Sequence, residues 1–125
     1  DIMQEPDPSK VNHINIAKET DLFLLAPATA NTIAKLANGL ADNMVTATAL
    51  ALPIQTKKIL APAMNTQMYE NPITQQNIDR LKLTGWKTIE PREAILACGD
   101  QGKGALAEID TIIDTVKELI YEKTV

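Results

Sequence analysis

The sequence has few of the residues that form covalent cross-links and metal sites. It contains one cysteine, Cys98, and one histidine, His13. A single cysteine excludes a disulfide within the chain, and these two side chains leave too few soft ligands for an ordinary zinc site. We therefore expect no metal site, and the cysteine usage favours the cytoplasm.

Long apolar runs and basic clusters are also absent. No stretch approaches the roughly 20 uninterrupted apolar residues that a membrane helix needs. Twelve Lys and Arg are set against sixteen Asp and Glu, a net charge of −4, and the basic residues are scattered or paired with acids. Such a surface is not suited to following nucleic-acid phosphates. We predict neither a membrane nor a nucleic acid as partner.

The start of the chain lacks an initiator methionine and any basic or apolar leader. A doubly wound nucleotide-binding sheet usually begins with a strand, a Gly/Ser-rich turn and a helix, and nothing before residue 22 can form that unit. A length of 125 residues suits one domain. We expect a single domain over residues 1–125 that is N-terminally truncated and lacks its first βαβ segment.

Short apolar strands alternate with helices along the chain. The runs at 22–26 and 57–61 are each closed by a proline and have the length of strands buried on both faces. A third strand is predicted at 86–89. Helices are predicted at 11–19, 29–39, 42–52, 71–84 and 109–120, the third of them largely buried because it is almost uniformly small or apolar. This order predicts a three-layer α/β/α domain, flavodoxin-like or Rossmann-like, with a parallel sheet.

A four-residue pattern, Leu-Ala-Pro-Ala, occurs at 25–28 and again at 60–63, and an Asn-Thr pair follows each copy. Ligands of open parallel sheets bind just beyond the carboxyl ends of the strands, so residues 29–32 and 64–68 are expected to face a ligand. Asn31 and Asn65 are the candidate polar groups, because an amide can bind a carboxylate or a heteroaromatic ring without adding a charge. The alternative is that each asparagine caps a helix.

The lone histidine and cysteine each have two interpretations. His13 is either a general base or a surface or capping residue. Cys98 lies in A-C-G-D-Q-G-K-G, whose glycines favour a mobile flap, but a cysteine can also be a small buried hydrophobe. The glycine spacing does not match a P-loop. Together these residues fit a flavin site or a small-carboxylate site, and their spacing does not choose between the two.

Four segments resemble the homo-oligomeric flavin-containing cysteine decarboxylases. P-A-T-A-N-T at 27–32 is similar to the family's Pro-Ala-Ser-Ala-Asn-Thr motif, and P-A-M-N-T-Q-M-Y at 62–69 to its Pro-x-Met-Asn-x-x-Met-Trp motif. H-I-N-I-A-K at 13–18 resembles the helix that carries the family histidine. L-A-C-G-D-Q-G-K-G-A-L-A at 96–107 resembles the flap of the phosphopantothenoylcysteine decarboxylase branch. The chain departs from the motifs at Thr29, where the family has serine, and at Tyr69, where it has tryptophan.

The resemblance implies FMN-dependent decarboxylation of 4'-phosphopantothenoylcysteine to 4'-phosphopantetheine in coenzyme A biosynthesis. In the implied reaction, the substrate thiol is oxidised to a thioaldehyde, CO₂ is lost, and the decarboxylated product is reduced again. The resemblance further implies that His13 assists the oxidation and decarboxylation, that Asn65 holds the substrate carboxylate, and that Cys98 donates the last proton. The neutral amide of Asn65 suits this role, because a cation would stabilise the ground-state carboxylate more than the transition state, in which the charge is dispersed.

The resemblance also implies binding sets, an assembly and alternatives. The cofactor set lies mainly at the strand ends: Pro27, Ala28, Thr29, Asn31, Thr32, Asp42, Asn43 and Met64. The substrate set is Asn65, Met68, Ala97, Gly99 and Lys103. The implied assembly is a homotrimer or a dodecamer of trimers. Two alternatives stay open: a peptidyl-cysteine decarboxylase of lantibiotic maturation, and a non-catalytic flavin-binding regulatory subunit.

Overall fold

The structure is a computed structural model that describes residues 20–95 and 101–122. Three strands form a parallel sheet in the order β1 (Leu22–Ala28), β2 (Lys57–Pro62), β3 (Trp86–Thr88). Strands β4 (Arg92–Ile95) and β5 (Gln101–Ala105) form a separate antiparallel pair. The helices are α1 (Ala30–Ala37), α2 (Met44–Ala51), α3 (Thr66–Glu70), α4 (Pro72–Leu83) and α5 (Ile109–Glu122). None of these helices has the length and apolar character needed to cross a bilayer.

Two hydrophobic cores lie on opposite faces of the parallel sheet. Leu60 of β2 packs with Ile33 of α1 and Ile78 of α4 in one core. Its neighbours in the strand, Ile59 and Ala61, pack on the other side in the core that includes Ile112 of α5. Successive side chains of a strand point to opposite faces, so one short apolar strand serves both cores. The predicted three-layer α/β/α arrangement is confirmed.

Local sequence signals explain where the helices begin and end. Asn43 caps α2 in a reciprocal capping box with Thr46, and Asn71 caps α4, in which Pro72 takes the first position. Gly39 has φ +71°, the left-handed conformation predicted for the residue that terminates α1. The strand at 86–89 and the helices at 71–84 and 109–120 are confirmed within one or two residues. The helix predicted at 11–19 lies outside the described residues.

Both proline-closed strands run slightly further than predicted. Pro27 lies within β1, after a cis Ala26–Pro27 bond, and Pro62 is the last residue of β2. The register shifts between Leu25 and Ala28, after which Ala28 pairs with Pro62. Proline has no backbone N–H to donate to a neighbouring strand, and at the end of a strand this hydrogen bond is not needed. The prolines therefore lie in the last residues of the two strands.

Helix α2 is not largely buried, and this prediction was wrong. Met44, Val45 and Leu50 are 59, 42 and 61% exposed. In the described part of the chain α2 packs mainly on α1, so only one side of the helix is covered. An all-apolar helix normally requires cover on every side, and α2 therefore presents an apolar surface to its surroundings.

Candidate functional site

The carboxyl ends of β1 and β2 lie side by side. The N–H of Ala63 donates to the carbonyl of Ala28 at 3.0 Å, directly beyond the last paired residues of the two strands. The segments that follow, residues 29–32 (the Thr29 turn) and 64–68 (the Asn65 turn), are therefore adjacent. The structure thus brings together the two segments that the repeated Leu-Ala-Pro-Ala pattern predicted to face a ligand.

Strand β5 forms a third side of this region. The N–H of Met64 donates to the carbonyl of Gly104 at 2.7 Å. The sequence did not predict this hairpin, because its glycine-rich strand lacks the apolar and β-branched residues that mark strands. Alternation of Gly102 and Gly104 around Lys103 was the one available signal, since residues two apart share a face of a strand.

Asn65 is the N-cap of α3, so the capping alternative is confirmed for this residue. Its Oδ1 accepts from the N–H groups of Gln67 at 2.8 Å and Met68 at 3.3 Å. Only the oxygen of an amide can accept from an N–H, which fixes the orientation of the side chain. The Nδ2 group donates to no atom of residues 20–95 or 101–122, and Asn65 is exposed. The cap therefore leaves an uncharged N–H donor available to a ligand.

In the Thr29 turn, Thr29 rather than Asn31 is the N-cap. Its Oγ1 accepts from the N–H of Thr32 and donates to Thr32 Oγ1, both at 3.2 Å. Asn31 lies exposed in the first turn of α1, so the capping alternative was wrong for this residue. The first helical hydrogen bond comes from Ile33. The N–H groups of Ala30 and Asn31 precede that bond and point out of the start of the helix.

Two residues of the predicted cofactor set have partners in α1 and α2. Asp42 accepts from Nζ of Lys35 at 2.9 Å, and this hydrogen bond lowers the pKa of the Asp42 carboxyl. Asn43 accepts from the N–H of Thr46 at 2.9 Å. No hydrogen bond within the described ranges joins Asp42 or Asn43 to the two turns. Their assignment to the cofactor stays a prediction.

Lys103 of the predicted substrate set forms an ion pair at the surface. Its Nζ lies 2.7 Å from Oε1 of Glu90, and the side chains of Lys103 and Glu90 are 46 and 71% exposed. The pair lowers the pKa of Glu90 and raises the pKa of Lys103, mainly through this hydrogen bond. Nothing in the sequence indicates the partner, because the two residues are 13 positions apart on different elements. Met68 of the same set is 49% exposed.

The Glu90–Lys103 pair should make a small, pH-dependent contribution to stability. Since the folded-state pKa of Glu90 lies below its ordinary value of 4.5, the contribution is present above that value and is lost as the pH falls through the folded pKa. We expect Glu90→Gln to lower the melting temperature slightly at pH 7 and by less at pH 3, measured by circular dichroism. Exposed pairs contribute little, so the shift should shrink further in high salt.

Glu70→Gln is the matched control for that substitution. Glu70 is exposed and has no ion pair among the described residues. This variant should not change the melting temperature at either pH. An equal loss at pH 3 and pH 7 for Glu90→Gln would contradict the electrostatic explanation.

Four predicted site residues lie outside the described residues: His13, Ala97, Cys98 and Gly99. The described residues nearest to them in the chain are Thr20, which precedes β1, Ile95 of β4 and Gln101 of β5. The predicted roles of these four stay predictions.

Comparison with known proteins identifies the family. The Flavoprotein family matches residues 2–121. A probable phosphopantothenoylcysteine decarboxylase of Streptococcus mutans is 62% identical over 117 residues, which cover 94% of this chain and 65% of the relative. A solved PPC decarboxylase variant complexed with pantothenoylaminoethenethiol superposes with a TM-score of 0.83 at 40% identity, over 89% of this chain and 60% of that one.

A second solved structure, described as an FMN binding protein, has a TM-score of 0.79 at 40% identity, over 90% of this chain and 60% of its own. The chain thus spans about two thirds or less of the length of each of these three proteins. The family match covers nearly all of the chain, and the two structures share its three-layer arrangement. The chain belongs to the Flavoprotein family.

Proposed function

We propose that this chain forms the flavin and substrate site of an FMN-dependent phosphopantothenoylcysteine decarboxylase of coenzyme A biosynthesis. The observation that carries the proposal is the Asn65 side chain, whose oxygen is held by two backbone N–H groups while its Nδ2 donors are left for a ligand. The high identity to the Streptococcus relative favours this substrate over a peptide.

The Thr29 turn has the donors that a flavin ring requires. The Asn31 amide and the N–H groups at the start of α1 lie at the carboxyl edge of the sheet and would donate to the carbonyl oxygens and nitrogens of a flavin ring, while Thr29 holds the turn through its hydrogen bonds with Thr32. Pro27, Ala28 and Thr32 shape the turn, and Met64 lies beside it. When bound, FMN would supply the oxidation of the substrate thiol and the later reduction of the product.

Asn65 would bind the substrate carboxylate through Nδ2. The carboxylate loses its charge as CO₂ departs, so a cation paired with it would stabilise the ground state more than the transition state. A neutral amide stabilises the ground-state carboxylate less than a cation does, so it orients the carboxylate with a smaller loss of rate. Because Oδ1 is engaged by Gln67 and Met68, the amide cannot rotate to present its oxygen to the carboxylate without losing both cap hydrogen bonds.

Three further assignments belong to this proposal. His13 would assist removal of protons in the oxidation and decarboxylation half of the reaction. Cys98, which falls between β4 and β5 in the sequence, would return a proton to the product. Met68, Ala97, Gly99 and Lys103 would shape the substrate pocket, and Lys103 would have to exchange its contact with Glu90 to reach the substrate.

Assembly into trimers, or a dodecamer of trimers, is also proposed. The exposed apolar surface of α2, formed by Met44, Val45 and Leu50, supports a protein neighbour at this position. A location in the cytoplasm is proposed from the cysteine usage. Light scattering after size-exclusion chromatography measures the assembly directly.

Turnover assays test the proposed activity. The purified protein that contains this chain should be yellow and should convert 4'-phosphopantothenoylcysteine to 4'-phosphopantetheine and CO₂ without an added electron donor, followed by mass spectrometry. A peptide that ends in cysteine is the competing substrate. Preference for the peptide would favour the lantibiotic alternative, and a yellow protein without turnover on either substrate would favour the regulatory subunit.

A further inference from the structure

Strand β5 touches the backbone of the Asn65 turn at two glycines. At Gly104, whose φ is +151°, a Cβ atom would overlap the carbonyl oxygen of Met64. At Gly102 a Cβ atom would lie 2.8 Å from Cγ2 and 3.1 Å from Oγ1 of Thr66. Both distances at Gly102 are shorter than ordinary van der Waals contact, so an alanine there requires Thr66 to shift, and an alanine at Gly104 requires the backbone of the turn or of the strand to move.

The two contacts lie on either side of Asn65 in the chain. Met64 precedes Asn65 and donates its N–H to Gly104, and Thr66 follows Asn65 and packs against Gly102. Gly102 and Gly104 share one face of β5, while Lys103 between them pairs with Glu90. The turn is therefore held at both neighbours of Asn65 by one face of a single strand.

We propose that Gly102 and Gly104 are positioning residues for Asn65, because they let β5 approach the turn closely enough to fix the direction of the Asn65 amide. This inference rests on the proposed function, in which Asn65 binds the substrate carboxylate. The amide is tied to the backbone of its own turn by the two cap hydrogen bonds, so a shift of the backbone moves the donor with it. Misplacement of a substrate-orienting group by about 1 Å costs roughly 10²-fold in rate.

The contact at Gly102 depends on packing rather than on a hydrogen bond. Thr66 Oγ1 is buried and has no hydrogen-bond partner among the described residues. Replacing Thr66 by alanine therefore removes no hydrogen bond from the described structure. It also removes both atoms that an alanine at position 102 would meet most closely, which leaves Cβ of residue 66 at 3.5 Å.

This geometry permits a rescue experiment with three variants of the FMN-loaded protein. Gly102→Ala should reduce kcat about 100-fold with unchanged flavin affinity, because the alanine displaces the Asn65 turn. Thr66→Ala alone should lose much less activity than Gly102→Ala, because it introduces no clash and the Met64–Gly104 hydrogen bond still holds the turn. The double variant should recover most of the lost kcat, because the clash is gone. Loss without recovery in the double variant would overturn the inference, as would full activity of Gly102→Ala.

Hydrogen exchange of peptides spanning residues 63–68, without substrate, provides a readout independent of activity. Gly102→Ala should increase exchange at the Met64 amide, and the double variant should restore its protection. Gly39→Ala is the control, since Gly39 has no atom within 4 Å of its added Cβ and its φ of +71° adds only local backbone strain. It should destabilise the protein without a selective change at 63–68.

The two readouts separate this inference from the proposed function. Absence of turnover in the unsubstituted protein would refute the decarboxylase assignment, and the exchange data would then decide whether β5 holds the turn. Unchanged exchange at 63–68 in Gly102→Ala would refute the positioning role whatever the activity shows.

Discussion

Replacement of Asn65 by aspartate is expected to abolish decarboxylation while the protein stays folded. A carboxylate oxygen can accept from the N–H groups of Gln67 and Met68 as the amide oxygen does, so the cap of α3 is retained. The N–H donor is replaced by a second acceptor that carries a negative charge. This group repels the substrate carboxylate instead of binding it, and we expect at least the 10²–10³-fold loss in kcat that follows removal of one preorganised donor.

Two companion variants separate binding from capping. Asn65→Ser retains a capping oxygen but lacks the amide donor, so it should remain stable with low activity. Asn65→Ala also loses the cap, at about 1 kcal/mol in the free energy of unfolding. Melting temperature and turnover measured together distinguish the cases. Decarboxylation by Asn65→Asp at the rate of the unsubstituted protein would remove the main support for the proposed function.

Replacement of Cys98 by serine is expected to block the last step without blocking the earlier ones. In the proposed reaction the thiol of Cys98 supplies a proton when the decarboxylated product is reduced. A serine hydroxyl is a far weaker acid than a thiol, which titrates near pH 8–9. The variant should release CO₂ and accumulate an enethiol that is two hydrogens lighter than 4'-phosphopantetheine, detected by mass spectrometry.

Flavin binding and CO₂ release are the internal controls for this variant. Both should be close to those of the unsubstituted protein, because the flavin contacts are assigned to the Thr29 turn on another element. Cys98→Ala should show the same block, because it also lacks the thiol. Full yield of 4'-phosphopantetheine from Cys98→Ser would exclude the assigned role, and loss of CO₂ release would place Cys98 earlier in the reaction.

Short-range signals were sufficient to predict most of the parallel sheet and its helices. Apolar runs closed by Pro27 and Pro62, an Asn-Pro pair at the start of α4, and Gly39 after α1 each act within a few residues. These features depend on backbone chemistry that the local residues carry with them. The adjacency of the two turns followed from the parallel arrangement, since carboxyl ends of neighbouring strands meet at one edge.

Other features depend on contacts between distant parts of the chain. The exposure of α2 could not be predicted, because apolar composition does not indicate whether a neighbour is present. The glycine-rich β5 becomes a strand through pairing with β4 and contact with the Asn65 turn, not through strand propensity. The Glu90–Lys103 pair likewise joins residues that only folding brings together.

By itself, the sequence determined the layer order, the two strand-end turns and the candidate residues, because turn, cap and periodicity signals are local. Only the tertiary structure decided how Asn65 is presented. An asparagine after a strand can cap a helix or bind a ligand, and the hydrogen bonds show that its oxygen does the first. The Nδ2 donors are thereby left to bind a ligand. This depends on the direction of the Asn65 side chain, which the order of residues in the sequence does not specify.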